Sequence, residues 1–254
     1  MSLFKKKGSA TFSERRYEAG ELLGIFLESL LLEGERRVAG RDIPEEEGKD
    51  VLVLSIRDVD VELLHRLHAL LKEKFSPRYE ITLISHAESF LHYILRQDKK
   101  FYNRQVGMLE FSSQILYYYE AQVSKGAKKY AVSVSEAQPD ALSFGILEDP
   151  RGRKMTDQVL SGMIDRIVKG KVYSAFFLAG KGFENTELFP EFMKKLLHGR
   201  RVLVESFLFS IGALYYGQLL GKGEEEEYLL LCDTRVNSDI VIRVSEKERE
   251  FPLY

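Results

Sequence analysis

Cysteine is nearly absent from the chain, with one residue in 254. That excludes a disulfide framework and a cysteine-built zinc site. Net charge is nearly absent too: 37 Lys and Arg stand against 39 Asp and Glu, leaving −2. A protein that grips nucleic acid through a broad phosphate footprint needs a basic surface, so no nucleic-acid partner is expected. No apolar run approaches the roughly 20 residues that cross a bilayer. The first residues, MSLFKKKGSATFSERR, lack the apolar stretch of a secretory signal. What remains is 44% hydrophobic and 30% charged, over a length that builds one large domain or two smaller ones. The expectation is a soluble, cytoplasmic protein.

Residues 1–16 read as a loose basic arm. Lys5, Lys6 and Lys7 could make weak, salt-sensitive contact with an anionic membrane. Leu22, Leu23, Phe26, Leu27, Leu30 and Leu31 recur at spacings of three and four, which predicts a helix over about 15–34 that Gly34 would stop. The charged stretch 35–50 reads as a surface loop. Val51–Ile56 is a short apolar run, hence a buried strand. Asp58 or Asp60 can cap the following helix, lined by Val61, Leu64, Leu67 and Leu71. Glu80–Ser85 is a second strand and 87–97 another helix, an alternation that favours parallel pairing.

After residue 105 the rhythm changes. Val106–Phe111, Ile115–Val123 and Tyr130–Ser135 follow in quick succession, as an antiparallel meander does. A polar connection spans 136–154. Thr156 can cap a helix whose inner face is Leu160, Met163, Ile164 and Ile167. Val172–Ala179 reads as a central strand, Pro190 opens a helix, Arg201–Glu205 is a strand and 207–220 a helix. Tyr228–Cys232 and Ile240–Val244 suggest a hairpin. The order helix, strand, helix, strand, helix thus occurs twice, and only the second copy is preceded by a meander.

This pattern resembles the actin/Hsp70/sugar-kinase superfamily, built from two ribonuclease-H-like subdomains. Residues 172–217, from VYSAFFLAGKGF to IGALYYG, resemble its adenosine motif, with Gly180, Gly182 and the pair Gly212-Ala213 at the matching positions and Phe183 beside them. QVGMLEFSSQILYYYEAQVS resembles the second phosphate hairpin, with Glu110 where the pattern has Asp. ISHAESFLHYIL resembles the stretch that precedes this hairpin. Within the superfamily, "GKGF … GRRV … GA" is similar to the DUF5716 group of Clostridia-type bacteria.

The resemblance implies an α/β, actin-like ATPase fold in two subdomains: an incomplete first over 17–104, lacking its N-terminal meander, and a second over 105–254. Such a chain looks shortened at its N-terminus. The resemblance also implies phosphoryl transfer from ATP, which needs glycine where backbone meets phosphate and carboxylates around magnesium. Here the second loop is Glu110-Phe111-Ser112-Ser113, with no glycine and a bulky Phe. The expected function is therefore a non-catalytic interaction or scaffold module that binds a protein partner or itself, with no catalytic residues, no metal ligands and no cofactor. The alternative is a weak ATP-binding protein or ATPase, with Gly180, Gly182, Phe183 and Gly212 near the adenosine, and Glu110, Ser112 and Ser113 near the magnesium and phosphates. A bare G-x-G equally marks a tight turn. The pairs His65/His68 and His86/His92 lack further metal donors at useful spacing, and Ser85-His86 lacks an orienting acid. Tyr117, Tyr118 and Tyr119 alternate across a strand, which places Tyr118 on the opposite face from the other two. Cys232 reads as a buried strand residue.

Overall fold

The computed structural model describes residue 4 and residues 6–39, 50–57, 60–112, 115–125, 130–140, 142, 144–222 and 228–232. Expectations at Lys5, Asp58, Ser113 and Ile240–Val244 lie outside these residues.

The first half opens with strands β1 (Ser9–Phe12) and β2 (Arg15–Glu18), paired antiparallel. Part of the expected loose arm is thus a hairpin. Its two turn residues, Ser13 and Glu14, take φ of 46° and 66°. That is the backbone of a two-residue hairpin turn, built here without the usual Asn-Gly signal. Helix α1 (Ala19–Val38) follows and runs through Gly34. A mid-helix glycine costs only about 1 kcal/mol, and the Glu33–Arg37 pair at 2.9 Å supports the turn around it.

Strand β3 (Asp50–Ile56), helix α2 (Val61–Phe75), strand β4 (Tyr79–Ser85) and helix α3 (His86–Leu95) complete this half. β3 and β4 pair in parallel along their whole length. Asp60 caps α2, accepting from the Leu63 amide at 2.9 Å. The buried stripe of α2 is Leu63, Leu67, Leu71 and Phe75, while Val61 is 69% exposed. Leu67 and Leu71 lie in the core as expected and Leu64 packs against it partly buried, while Leu63 and Phe75 extend the i, i+4 series and Val61 is the exposed first residue of the helix. α3 begins with a capping box between Ser85 and Glu88.

The second half is a six-stranded sheet in the order β10-β7-β6-β5-β8-β9. β5 (Gln105–Phe111), β6 (Leu116–Lys125) and β7 (Tyr130–Asp140) form the expected antiparallel meander. β7 runs further than expected, through the start of the predicted polar connection. Helix α4 (Pro150–Ile167) starts earlier than Thr156 because Asp149 caps it, accepting from the Gly152 amide at 3.0 Å. The Thr156 hydroxyl instead donates to the Gly152 carbonyl within the helix, at 2.9 Å. β8 (Tyr173–Ala179) lies parallel to β5 and β9 (Arg201–Val204), with α5 (Pro190–Leu196) between β8 and β9 in sequence. β10 (Tyr228–Leu231) pairs in parallel with β7. The α/β class and the meander beside the 173–179 strand, on which the superfamily resemblance rested, are both present.

The last helix of each half joins the two. α3 packs on the large sheet and against α6 (Leu208–Gly221), and α6 also packs against β3. Glycine makes the crossing possible: a Cβ on Gly212 would lie 1.9 Å from the Ser89 carbonyl oxygen. His86 stacks on Phe209 and His92 on Tyr216, with ring centroids 3.8 and 4.6 Å apart. A helix buried nearly all round, as α3 is, belongs between two layers.

Candidate functional site

Side chains of β5 alternate across the sheet. Val106 and Met108 face α3, while Leu109 and Phe111 join the core beneath α4 and α5. Glu110 therefore points toward the first half, and it is 1% exposed. A buried carboxylate requires partners. Arg57, the residue after β3, supplies the charge: its guanidinium forms an ion pair and hydrogen bond with Oε1. The Ser112 hydroxyl also donates to Oε1. Tyr119 donates to Oε2 at 3.2 Å, and His86 Nδ1 lies 3.4 Å from the same atom. Arg57 in turn lies 4.5 Å over the Tyr117 ring and donates to Ser112 at 3.3 Å.

Burial by itself would raise the Glu110 pKa, but His86, Arg57 and Ser112 outweigh it and hold the carboxyl below its ordinary value. Burial likewise would lower the Arg57 pKa, and Glu110 reverses it, so the guanidinium binds its proton more tightly than usual. Two residues of the first half, Arg57 and His86, thus meet Ser112, Tyr117 and Tyr119 of the second half around the Glu110 carboxylate.

The glycine turn lies next to this cluster. Gly180 takes φ of 88°, and a Cβ there would lie 2.7 Å from the Phe111 carbonyl oxygen. At Gly182 a Cβ would lie 2.3 Å from Phe111 Cδ1. Phe183 is fully buried, edge-on to Phe111 with centroids 6.0 Å apart. Both glycines are small because Phe111 and Ser112 pack against them. A cavity of about 260 Å³ opens on the same turn, lined by Lys181, Gly182, Glu184, Arg153 and Leu188 among others. Pockets for small molecules start near about 300 Å³.

Glu110, Ser112, Gly180, Gly182 and Phe183 are therefore gathered around Phe111, while Gly212 sits apart at the α3–α6 crossing. Arg57 was missed in the sequence, as was the role of His86 beside a carboxylate. Arg57 directly follows an apolar strand and Glu110 is the last residue but one of another, which flags two charges of opposite sign at strand ends. Their pairing depends on topology. His65 and His68 are exposed on α2. Among the described residues, no three His, Cys, Asp or Glu side chains are placed to hold a metal, and no helix is long and apolar enough to cross a membrane.

A second carboxylate sits at the other end of the sheet. Glu120 accepts from Tyr118 at 2.6 Å, from Tyr173 at 2.5 Å and from Lys171 at 2.7 Å. Burial would raise its pKa, but Lys171 and the two hydroxyls lower it. Both tyrosine pKa values are pushed upward, first by burial and then by this carboxylate.

The GKGF turn, the GRRV strand and the GA pair occupy one continuous run, β8 through α6, with Gly212-Ala213 inside the helix rather than at its start. A family model described as "Family of unknown function (DUF5716) C-terminal" matches residues 1–233. The chain belongs to this DUF5716 family. Several solved structures resemble this family member at low identity. A non-polymerisable quadruple mutant of pCBH ParM is 12% identical, with a TM-score of 0.43 over 69% of this chain and 71% of that one. A Ppx/GppA family protein of Aquifex aeolicus is 11% identical, with a TM-score of 0.43 over 85% of this chain and 94% of that one. A putative sugar kinase of Cytophaga hutchinsonii is 12% identical, with a TM-score of 0.38 over 85% and 93%. No curated protein matches the chain.

Proposed function

We propose that this DUF5716 protein is a non-catalytic, actin-like ATPase-fold module of the bacterial cytoplasm that works by binding another protein. The observation that carries this reading is the Arg57–Glu110 pair. Glu110 is the carboxylate that the superfamily resemblance places near magnesium, yet both its oxygens are occupied by protein donors and its negative charge is met by a guanidinium. A divalent cation does not fit there without breaking the Arg57 ion pair and displacing the hydroxyl donors from the carboxylate. The phosphate side fits no better, because Phe111 and Ser112 pack directly on Gly180 and Gly182. Close approach of a phosphate needs exposed backbone amides. With the cation and phosphate places filled by the chain itself, the architecture is left to bind partners.

Thermal unfolding with and without millimolar Mg-ATP tests the reading. The expected result is no shift. A ligand present at 100 times its Kd adds about 2.7 kcal/mol, and an increase of that order would replace this reading with a nucleotide-binding one, with ATP and magnesium at Gly180, Gly182 and Glu110.

A further inference from the structure

We infer that the edge of β3 away from β4 is a docking slot for a parallel β-strand supplied by a partner polypeptide. The inference deepens the interaction reading by naming the surface and its occupant. β3 and β8 hold the same place in the two copies of helix, strand, helix, strand, helix. β8 has a parallel neighbour on each side, β5 and β9, and all seven of its residues are buried. β3 has only β4 among the described residues. Its five central residues are half-buried and Asp50 is exposed.

Both faces of β3 are already covered. Leu52 and Leu54 join the cluster of Leu67 and Leu71. On the other face Val53 Cγ2 would lie 3.2 Å from a Cβ on Gly217, and the Ser55 and Ser89 hydroxyls are 2.5 Å apart. The exposure that remains therefore lies along the edge. A strand in a parallel sheet turns its N–H and C=O groups alternately to its two neighbours, so about half of those in β3 lack a ladder partner among the described residues. Within the strand, three of the usual edge protections are missing. Asp50–Ile56 holds no proline and no lysine, and its register with β4 is continuous, without a bulge.

The second half shows what such an edge accepts. β5 lies along β8 in parallel and is apolar toward both faces, with Val106 and Met108 on one and Leu109 and Phe111 on the other. Covered faces above and below demand a strand of that kind. A second copy of this chain meeting β3 across a two-fold axis would pair antiparallel, unlike β5 on β8.

Hydrogen exchange of the full chain, read amide by amide by NMR, tests the assignment. In the monomer, alternate β3 amides should exchange about a hundredfold or more faster than those of β8. A synthetic peptide of residues 104–112, the strand that flanks β8, should slow them by about tenfold or more, and a scrambled peptide should not. Slow exchange in the peptide-free monomer would overturn the inference, because the edge would be filled by the chain itself. Slow exchange that appears with dimer mass would overturn it in favour of a second copy. Fast exchange that the strand peptide leaves unchanged would also overturn it. None of these outcomes alters the response to Mg-ATP, so this inference and the non-catalytic reading fail separately.

Discussion

β3 and β8 are comparable in sequence, DVLVLSI and YSAFFLA, and occupy matching positions, yet only β8 is core throughout. Apolar character is therefore not what buries a strand. A strand is sealed by neighbours on both edges as well as by helices on both faces, and among the described residues β3 has three of the four. The same contrast extends to the helices. α1 leaves Phe26 57% and Leu30 53% exposed, whereas α3 at the junction of the halves is almost wholly enclosed.

The comparison is broken most directly by matched truncations. Phe177→Ala in β8 removes a side chain with no exposed surface, edge-on to Phe90 at 6.2 Å. It should cost about 3–5 kcal/mol in denaturant unfolding. Leu54→Ala in half-buried β3 should cost about half as much, since less of its surface leaves water. Equal losses would mean that β3 is as deeply sealed as β8.

The next largest effect lies where the halves meet. Arg57→Ala leaves Glu110 buried without its cation, and should destabilise by about 2–3 kcal/mol. This is below the fully buried range because the Arg57 side chain is 23% exposed. The double variant Arg57→Met/Glu110→Leu should recover most of the loss, which a general packing defect would not allow. The acid limb follows from the same cluster. The folded pKa of Glu110 is lowered, so its stabilisation is present above the unfolded carboxyl pKa of about 4.3 and is lost as pH falls through the folded value. Glu110→Gln should therefore flatten the loss of stability below about pH 4, measured by urea titration at several pH values.

Gly212→Ala tests the α3–α6 crossing. Its Cβ would meet backbone at Ser89, which cannot swing aside, and the cost should be about 1–3 kcal/mol. Gly34→Ala, with nothing within 4 Å of its Cβ, should instead raise the stability by up to about 1 kcal/mol. Opposite signs in thermal melts would separate the constrained glycine of the junction from the unconstrained one in α1.

Much of this architecture was legible because it is local. The meander, the central strand Tyr173–Ala179 and the parallel β3–β4 pair follow from runs of branched and aromatic residues between turns. Where the expectation failed, two local signals competed. Thr156 lost to Asp149 as the cap of α4, because Pro150 also favours an earlier start. The β1–β2 hairpin was missed because Ser13-Glu14 adopts positive φ without a glycine to announce it. At the site, Glu110 was visible as a carboxylate near a strand end, but Arg57 stands 53 residues away in sequence and nothing local joins them.

The amino-acid order alone determined the element types, the doubled helix–strand pattern and the absence of glycine from the turn after β5. Only the tertiary structure decided that Arg57 answers Glu110, that Phe111 fills the space beside Gly180 and Gly182, and that β3 has one strand neighbour among the described residues where β8 has two. The reason is range. Periodicity and caps act over a few residues, whereas burial, charge pairing and edge closure depend on which distant segments the fold sets side by side.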